Sequence, residues 1–187
     1  MVDARIVQTT KALHAAIVEL ASQRPVSRIT VADVTRQAGI NRATFYSHAT
    51  SPGALLTDVL TPELDAIRAD DHARREAGAD GAATTRTSLE RVVDHVVSHR
   101  EVYRLALPDA LDASISLALA RHFEASSVQH LESLPEGSLP EGVPVHLAAG
   151  TYAHGLVGAI QAWLTGRRTS RKALLDTMTA MTPTWWH

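Results

Sequence analysis

The stretch ITVADVTRQAGINRATFYSHAT, residues 29–50, constrains the fold more than any other part of the chain. Thr30-Val31-Ala32-Asp33 has the form of a capping box, with a hydroxyl for an orphan backbone N–H and an acid in the first turn of the helix that follows. Ile29 before the cap and Val34 after it form the apolar pair that fixes the entry angle. The device recurs at once, with Asn41 as cap and Ile40 and Phe45 as the pair. Between them stands Gly39, the residue type that ends a helix in a left-handed conformation. The pattern predicts two short helices joined by a tight turn. Upstream, Ile6, Thr10, Leu13, Ile17 and Leu20 recur at steps of four and three, one stripe of a helix over residues 4–23 that Pro25 closes. A long helix with two short ones against it is a helix-turn-helix arrangement, whose expected core is Ile6, Leu13, Ile17, Leu20, Val31, Val34, Ala38, Ile40 and Phe45.

The rest of the chain is also helical by pattern. Ser51-Pro52 reads as a cap and first helical residue, followed by apolar Leu55, Leu56, Val59, Leu60, Leu64 and Ile67 in a helix running to about Glu76. Pro62 lacks a backbone donor and clashes with the preceding turn, so a kink or a restart is expected there. AGADGAAT (77–84) reads as loop by composition. Further helices are predicted from Thr85 to about Arg100, over a short segment carrying Tyr103, Leu105 and Leu107, over 112–132, over 145–164, and from Ser170 onward. SLPEGSLPEG (133–142) is one five-residue unit written twice; its prolines and glycines predict a mobile surface loop. No strand-like alternation appears. The expected fold is all-α with about nine helices, a helix-turn-helix domain over residues 1–50 and a larger helical domain over 51–187.

Charge separates these parts. Residues 1–50 carry six basic and three acidic side chains, whereas 51–135 carry eight basic and fourteen acidic, within a chain of net charge −2. A cationic first quarter on an acidic protein implies that any polyanion is met by the N-terminus. The chain has no cysteine, which excludes a disulfide framework and a thiolate metal site. No run approaches the ~18 uninterrupted apolar residues of a membrane span, and the N-terminus lacks a signal-peptide core. A cytoplasmic protein is expected.

With Phe45 inward, the second short helix turns Arg42, Ala43, Thr44, Tyr46, Ser47 and His48 outward, and these residue types suit a DNA groove. Arg42 can donate a fork to guanine, Ala43 and the Thr44 methyl can meet a thymine methyl, and Tyr46, Ser47 and His48 can reach phosphate or base edges. Thr30 and the free N–H groups behind it form an expected phosphate site, with Ser27 and Arg28 beside it. The expected DNA contacts are therefore Arg28, Thr30, Asn41, Arg42, Ala43, Thr44, Tyr46, Ser47 and His48.

ITVADVTRQAGINRATFYSHATSPGALL closely resembles the N-terminal DNA-binding signature of the tetracycline-repressor (TetR) family of transcriptional regulators, over about residues 5–60. The shared order is apolar-Thr-Val-x-x-Val, Ala-Gly-apolar, a small-residue start to the recognition helix, then aromatic-Tyr-x-His. The resemblance implies a dimeric repressor on an operator in double-stranded DNA, released by a small-molecule effector, with Thr30, Arg42, Thr44, Tyr46 and His48 on the DNA. The chain departs from the pattern at Ala49, where an aromatic residue commonly follows the His. It departs again at Pro52, where a phosphate-binding lysine often begins the fourth helix.

In the C-terminal part, Gly150, His154 and Gly158 lie four apart on one face of the predicted 145–164 helix, where another backbone can approach. With Leu174 and Met178 of the last helix they form an expected dimer interface of four helices; the same apolar helices would equally complete the core of one chain. Tyr103, Phe123, Tyr152 and Trp163 are the expected lining of an effector pocket. His95 and His99 have the i, i+4 spacing of a helical metal site, but no third ligand stands at fixed spacing, so no metal or other cofactor is expected. The carboxylates of 58–80 read as a solvated face, and no nucleophile elbow, phosphate loop or zinc-protease motif points to an enzyme. The alternative to a regulator is a small-molecule-binding helical dimer without specific DNA binding.

Overall fold

The computed structural model describes residues 4–166 and 169–186. Among them nine α-helices and two short 3₁₀ turns account for the regular structure: α1 (Ala4–Ala21), a 3₁₀ turn (Val26–Arg28), α2 (Val31–Ala38), α3 (Arg42–Tyr46), α4 (Pro52–Glu76), α5 (Gly81–Ser98), α6 (Arg100–Ala106), α7 (Ser114–Ser133), α8 (Val145–Thr165), α9 (Arg171–Ala180) and a last 3₁₀ turn (Thr184–Trp186). The fold is all-α, as the periodicity requires. The chain forms two compact units, one of residues 1–62 with 99–116, the other of 63–98 with 117–187.

In the first unit α1 packs on α2 and α6, and α2 on α3. The buried face of α1 is Leu13, Ala16, Ile17 and Ala21, while Ile6 is 53% exposed. That corrects the expected core at its N-terminal end. A helix of eight residues such as α2 is about 12 Å long and one of eighteen about 27 Å, so α2 covers only part of the stripe. Val34 and Phe45 are fully buried, and Leu20, Val31, Ala38 and Ile40 half-buried. Asp109, beyond α6, accepts a hydrogen bond from the Ser27 N–H at 3.1 Å and so ties the α1–α2 connection to the end of α6.

Ser51 caps α4 by accepting from the Ala54 N–H. The helix does not restart at Pro62, which stands inside it. The proline costs the carbonyl of Asp58 its usual donor, and the rest of the ladder runs on. The expected loop at 77–84 is shorter, because Asp80 caps α5: its carboxylate accepts from Ala83 N–H at 2.7 Å, and Gly78 takes the turn at φ 77°.

In the second unit α9 packs on α5 and α8. Leu174, Leu175 and Met178 point into this core and are at most 4% exposed. Leu174 and Met178 therefore complete the core of their own chain and leave the expected interface list. Arg86 of α5 reaches Asp176 of α9 at 3.1 Å and Glu90 at 2.9 Å. The tandem SLPEG unit also differs from its expectation. Each copy makes one turn, Ser138 N–H to Pro135 C=O and Val143 N–H to Pro140 C=O, with Gly137 and Gly142 at φ 82° and 77°. The leucines Leu134 and Leu139 pack against the buried cluster of Leu131, Ala149 and Trp186, so the repeat is a pair of glycine turns pinned by its own leucines.

Candidate DNA interface and effector cavity

The surface of α2 and α3 is set by caps. The Thr30 hydroxyl accepts from the Asp33 N–H at 3.1 Å and the Asp33 carboxylate accepts from the Thr30 N–H at 3.1 Å, closing the capping box. The backbone N–H and then the hydroxyl of Thr30 hold the Asp33 carboxyl below the ordinary carboxylate range, with Arg24 and Arg36 adding to the effect. Gly39 ends α2 at φ 67°, in the left-handed region where side chains with a Cβ are strained. Asn41 then caps α3, its side-chain oxygen accepting from the Thr44 N–H at 2.8 Å and the Thr44 hydroxyl at 3.0 Å.

These bonds divide the expected DNA contacts into two sets. Arg42, Ala43, Tyr46 and Ser47 are exposed on or just past α3, with Tyr46 55% exposed and its ring edge-on to buried Phe45. Arg28 is exposed at the 3₁₀ turn. The hydroxyls of Thr30 and Thr44 and the side-chain oxygen of Asn41 are engaged in the caps. α3 ends at Tyr46, and half-buried His48 lies past it with Nδ1 3.4 Å from the Thr10 hydroxyl of α1. The expected phosphate site at Thr30 is likewise altered, because the Asp33 carboxylate sits at that helix start and engages Arg24 and Arg36 at 3.0 and 2.6 Å.

Ala49, one of the departures from the family pattern, is buried. Beside Pro52, a Cβ at Gly53 would stand 2.7 Å from both the Asp112 carboxylate and the Ser114 hydroxyl, so α4 starts close against the residues that lead into α7.

The second unit holds a narrow cavity of about 40 Å³, room for a few water molecules. α4 supplies Ile67, Arg68, Asp71 and Arg75, α5 supplies Thr85, Ser88, Leu89 and Val92, and α7 supplies His122, Phe123, Ser126, Ser127 and His130; Tyr152, Leu156 and Trp186 complete the wall. Asp71 is 6% exposed, which corrects the reading of 58–80 as a wholly solvated face. It accepts from Arg75 Nε at 2.8 Å and from the Ser88 hydroxyl, while Arg75 also donates to the Thr85 hydroxyl at 2.9 Å. Burial pushes the His122 imidazole down to about 4, so the ring is neutral. His130 Nε2 lies 2.6 Å from the Trp186 carbonyl, and the Tyr152 ring packs 4.5 Å from that of Trp186. Burial raises the Tyr152 phenol above its usual range, and its OH pairs with the Thr182 hydroxyl at 2.8 Å.

Of the four aromatic residues expected in a pocket, the cavity brings together Phe123 and Tyr152. Tyr103 is buried in α6 in the first unit, and Trp163 donates from Nε1 to the Thr169 carbonyl at 3.0 Å. Sequence reasoning missed His122, Asp71, Arg75 and Trp186. Asp71 and Arg75 carried a signal in their i, i+4 opposite charges, whereas nothing local marks which of ten histidines is buried. His95 is buried with Nδ1 2.7 Å from Glu63 Oε2, a pairing of α5 with α4.

Along α8, Gly150 is half-buried and His154, Gly155 and Gly158 are exposed; a Cβ on any of the three glycines would meet nothing within 4 Å. Leu147 at 58% and Met181 at 72% exposure border an open apolar groove of about 1320 Å³, mouth included, between α8 and the C-terminal residues. No helix among the described residues is long and apolar enough to cross a membrane.

Residues 13–59 match the family model for bacterial regulatory proteins of the tetR family. An uncharacterized HTH-type transcriptional regulator of Bacillus subtilis, YxbF, is 38% identical over 60 residues; the match spans 32% of this chain and 16% of that relative. Two solved structures share the fold across nearly the whole chain. One is a TetR transcriptional regulator from Streptococcus agalactiae, with TM-score 0.70 at 20% identity over 96% of both chains. The other is Thermus thermophilus FadR, a TetR-family repressor in complex with lauroyl-CoA, with TM-score 0.66 at 16% identity over 91% of both. The likeness to the tetR family model is confined to residues 13–59, and the solved structures, at 20% identity or below, show that the chain shares their fold.

Proposed function

We propose that the protein is a ligand-responsive transcriptional repressor that binds a palindromic operator as a homodimer and is released by a small molecule. Residues 1–50 meet DNA; residues 51–187 bind the effector and pair the subunits. The observation that carries this reading is the fully buried Phe45, which leaves Arg42, Ala43, Tyr46 and Ser47 on the outer face of a helix fixed by its Asn41 cap. Arg42 reads a base edge; Tyr46, Ser47 and Arg28 meet the backbone. Thr30, Asn41 and Thr44 aim these side chains, and His48 braces them against α1.

The open glycine face of α8, with Gly150, His154 and Gly158, supports pairing with a second copy, in which Met181 and Leu147 replace the buried Leu174 and Met178 as the apolar contacts. Such a dimer sets two recognition helices about 34–36 Å apart, one turn of the duplex. The FadR of T. thermophilus holds lauroyl-CoA; an effector site in the helical body is what we extend to this chain. A ligand there acts only by favouring one state of the dimer over another, and Pro62 is the proposed pivot within α4. Retitration of effector-induced DNA release after Pro62→Ala should show a weaker response; an unchanged one removes the pivot.

Fluorescence anisotropy on DNA flanking the protein's own gene tests the reading. A salt-dependent affinity well above that for scrambled DNA is expected. Equal affinity for both would leave the small-molecule-binding dimer as the function, and a monomer by light scattering would remove the palindrome.

A further inference from the structure

Sequence spacing alone offers two ligands of a metal site, and the fold supplies a third. His95 and His99 stand about one helical turn apart along the chain, the separation that lets two imidazoles reach one ion. From α4, distant in sequence, Glu63 brings its carboxylate to them. One ligand atom from each of Glu63, His95 and His99 lies within 4.8 Å of the other two. Glu63 Oε2 is 2.7 Å from His95 Nδ1.

Burial of the three groups is graded in the way a binding site needs. The His95 side chain has no exposed surface, so packing fixes its ring, whereas the Glu63 side chain is 57% exposed and His99 is half-buried. An ion can therefore enter from the Glu63 side without opening the core. Ligand atoms around a tetrahedral Zn²⁺, each at ~2.0–2.1 Å from it, stand about 3.3 Å apart. The Glu63–His95 pair is tighter than that, and the exposed carboxylate is the group free to swing outward and admit the ion. An ion pair uses two of the three groups; a metal ion uses all of them, and its charge offsets that of the carboxylate.

We infer that Glu63, His95 and His99 form a binding site for a divalent transition-metal ion of the zinc class. Two imidazole nitrogens with one carboxylate oxygen suit Zn²⁺ or Ni²⁺ better than Mg²⁺ or Ca²⁺, which take oxygen ligands. The chain has no cysteine, so no thiolate elsewhere competes for the ion. Three protein ligands leave a fourth position to water or to a donor atom of a small molecule. The site goes beyond the regulator proposed above, and its test involves no DNA, so each is judged on its own result.

The test is calorimetric titration of the full chain, stripped of metal by chelator, with Zn²⁺ alone at neutral pH. One ion per chain should bind in the micromolar range or tighter, and Mg²⁺ at the same concentration should not. Glu63→Gln, which keeps the size of the side chain, and His99→Ala should each weaken Zn²⁺ by at least about tenfold, since loss of even an outer partner of a ligand costs that much. His146→Ala, which removes an exposed histidine at the start of α8, should leave the affinity unchanged. In the unmutated protein, one equivalent of Zn²⁺ should move the imidazole ¹⁵N resonances of His95 and His99 ahead of those of the other histidines, which keeps the test independent of any variant's folding. Stoichiometric binding that survives both ligand substitutions, Mg²⁺ binding as tightly as Zn²⁺, other histidines responding first, or no binding of Zn²⁺ would each overturn the inference.

Discussion

The two polar regions of this chain are built in opposite ways. Around α2 and α3 the caps close within one turn, Thr30 with Asp33, Asn41 with Thr44, and Ser47 with the Thr44 carbonyl, and fewer polar contacts, such as His48 with Thr10, reach another helix. Around the cavity the i, i+4 pair of Asp71 and Arg75 is extended across helices, Asp71 to Ser88 and Arg75 to Thr85, and His130 meets the Trp186 carbonyl. Bonds within one turn keep their geometry when a helix shifts as a body, whereas bonds between helices change with it.

Changes at four positions break or sharpen this contrast. Phe45→Ala has the largest expected effect, because the side chain is wholly buried and the caps cannot hold α3 without its anchor: about 3–5 kcal/mol should be lost in urea unfolding. A loss below about 1 kcal/mol would mean that local capping alone suffices.

Next comes a pH effect confined to the cavity. The His122 pKa falls from 6.5 when unfolded to about 4 when folded. Between those values the unfolded chain holds the proton and the folded chain does not, so stability drops as pH falls through that window, by up to about 3 kcal/mol. Replacing His122 with Phe should flatten that part of the profile, measured by unfolding at stepped pH. An unaltered slope would show that the ring is not the group responsible.

Arg42→Ala should weaken operator binding by about 1–3 kcal/mol and relax preference at one base position, with folding intact, as read by anisotropy on single-base operator variants. A uniform loss across all sequences would recast Arg42 as a phosphate contact. The smallest effect belongs to Asn41→Ala, about 1 kcal/mol of stability, with a comparable loss of operator affinity because the cap aims the helix. Stability lost without affinity would separate the cap from recognition.

The same contrast explains what was legible in the sequence. Caps, glycine turns and apolar spacing are properties of short stretches, so α2, Gly39, the α3 start and most helices could be read directly. The contact of His48 with Thr10 could not, because it joins residues of two separate stretches. Asp80 as a cap was hidden inside a stretch whose glycines and alanines read as loop. Burial of Leu174 and Met178 depends on α5 and α8 covering them, and an apolar stripe looks the same whether its own chain or a second copy does so. The cavity was least legible. Phe123 and Tyr152 were candidates by type, but His122, Asp71 and Trp186 meet only after folding.

The central claim is that α3 reads DNA sequence, and the most direct measurement is a selection of bound fragments from a random duplex pool by the full-length protein. Enrichment of a two-fold symmetric motif with half-sites about one helical turn apart is predicted, and it should vanish with Arg42→Ala combined with Tyr46→Ala. A pool that emerges with no motif, or a motif unchanged by that double substitution, would contradict the account.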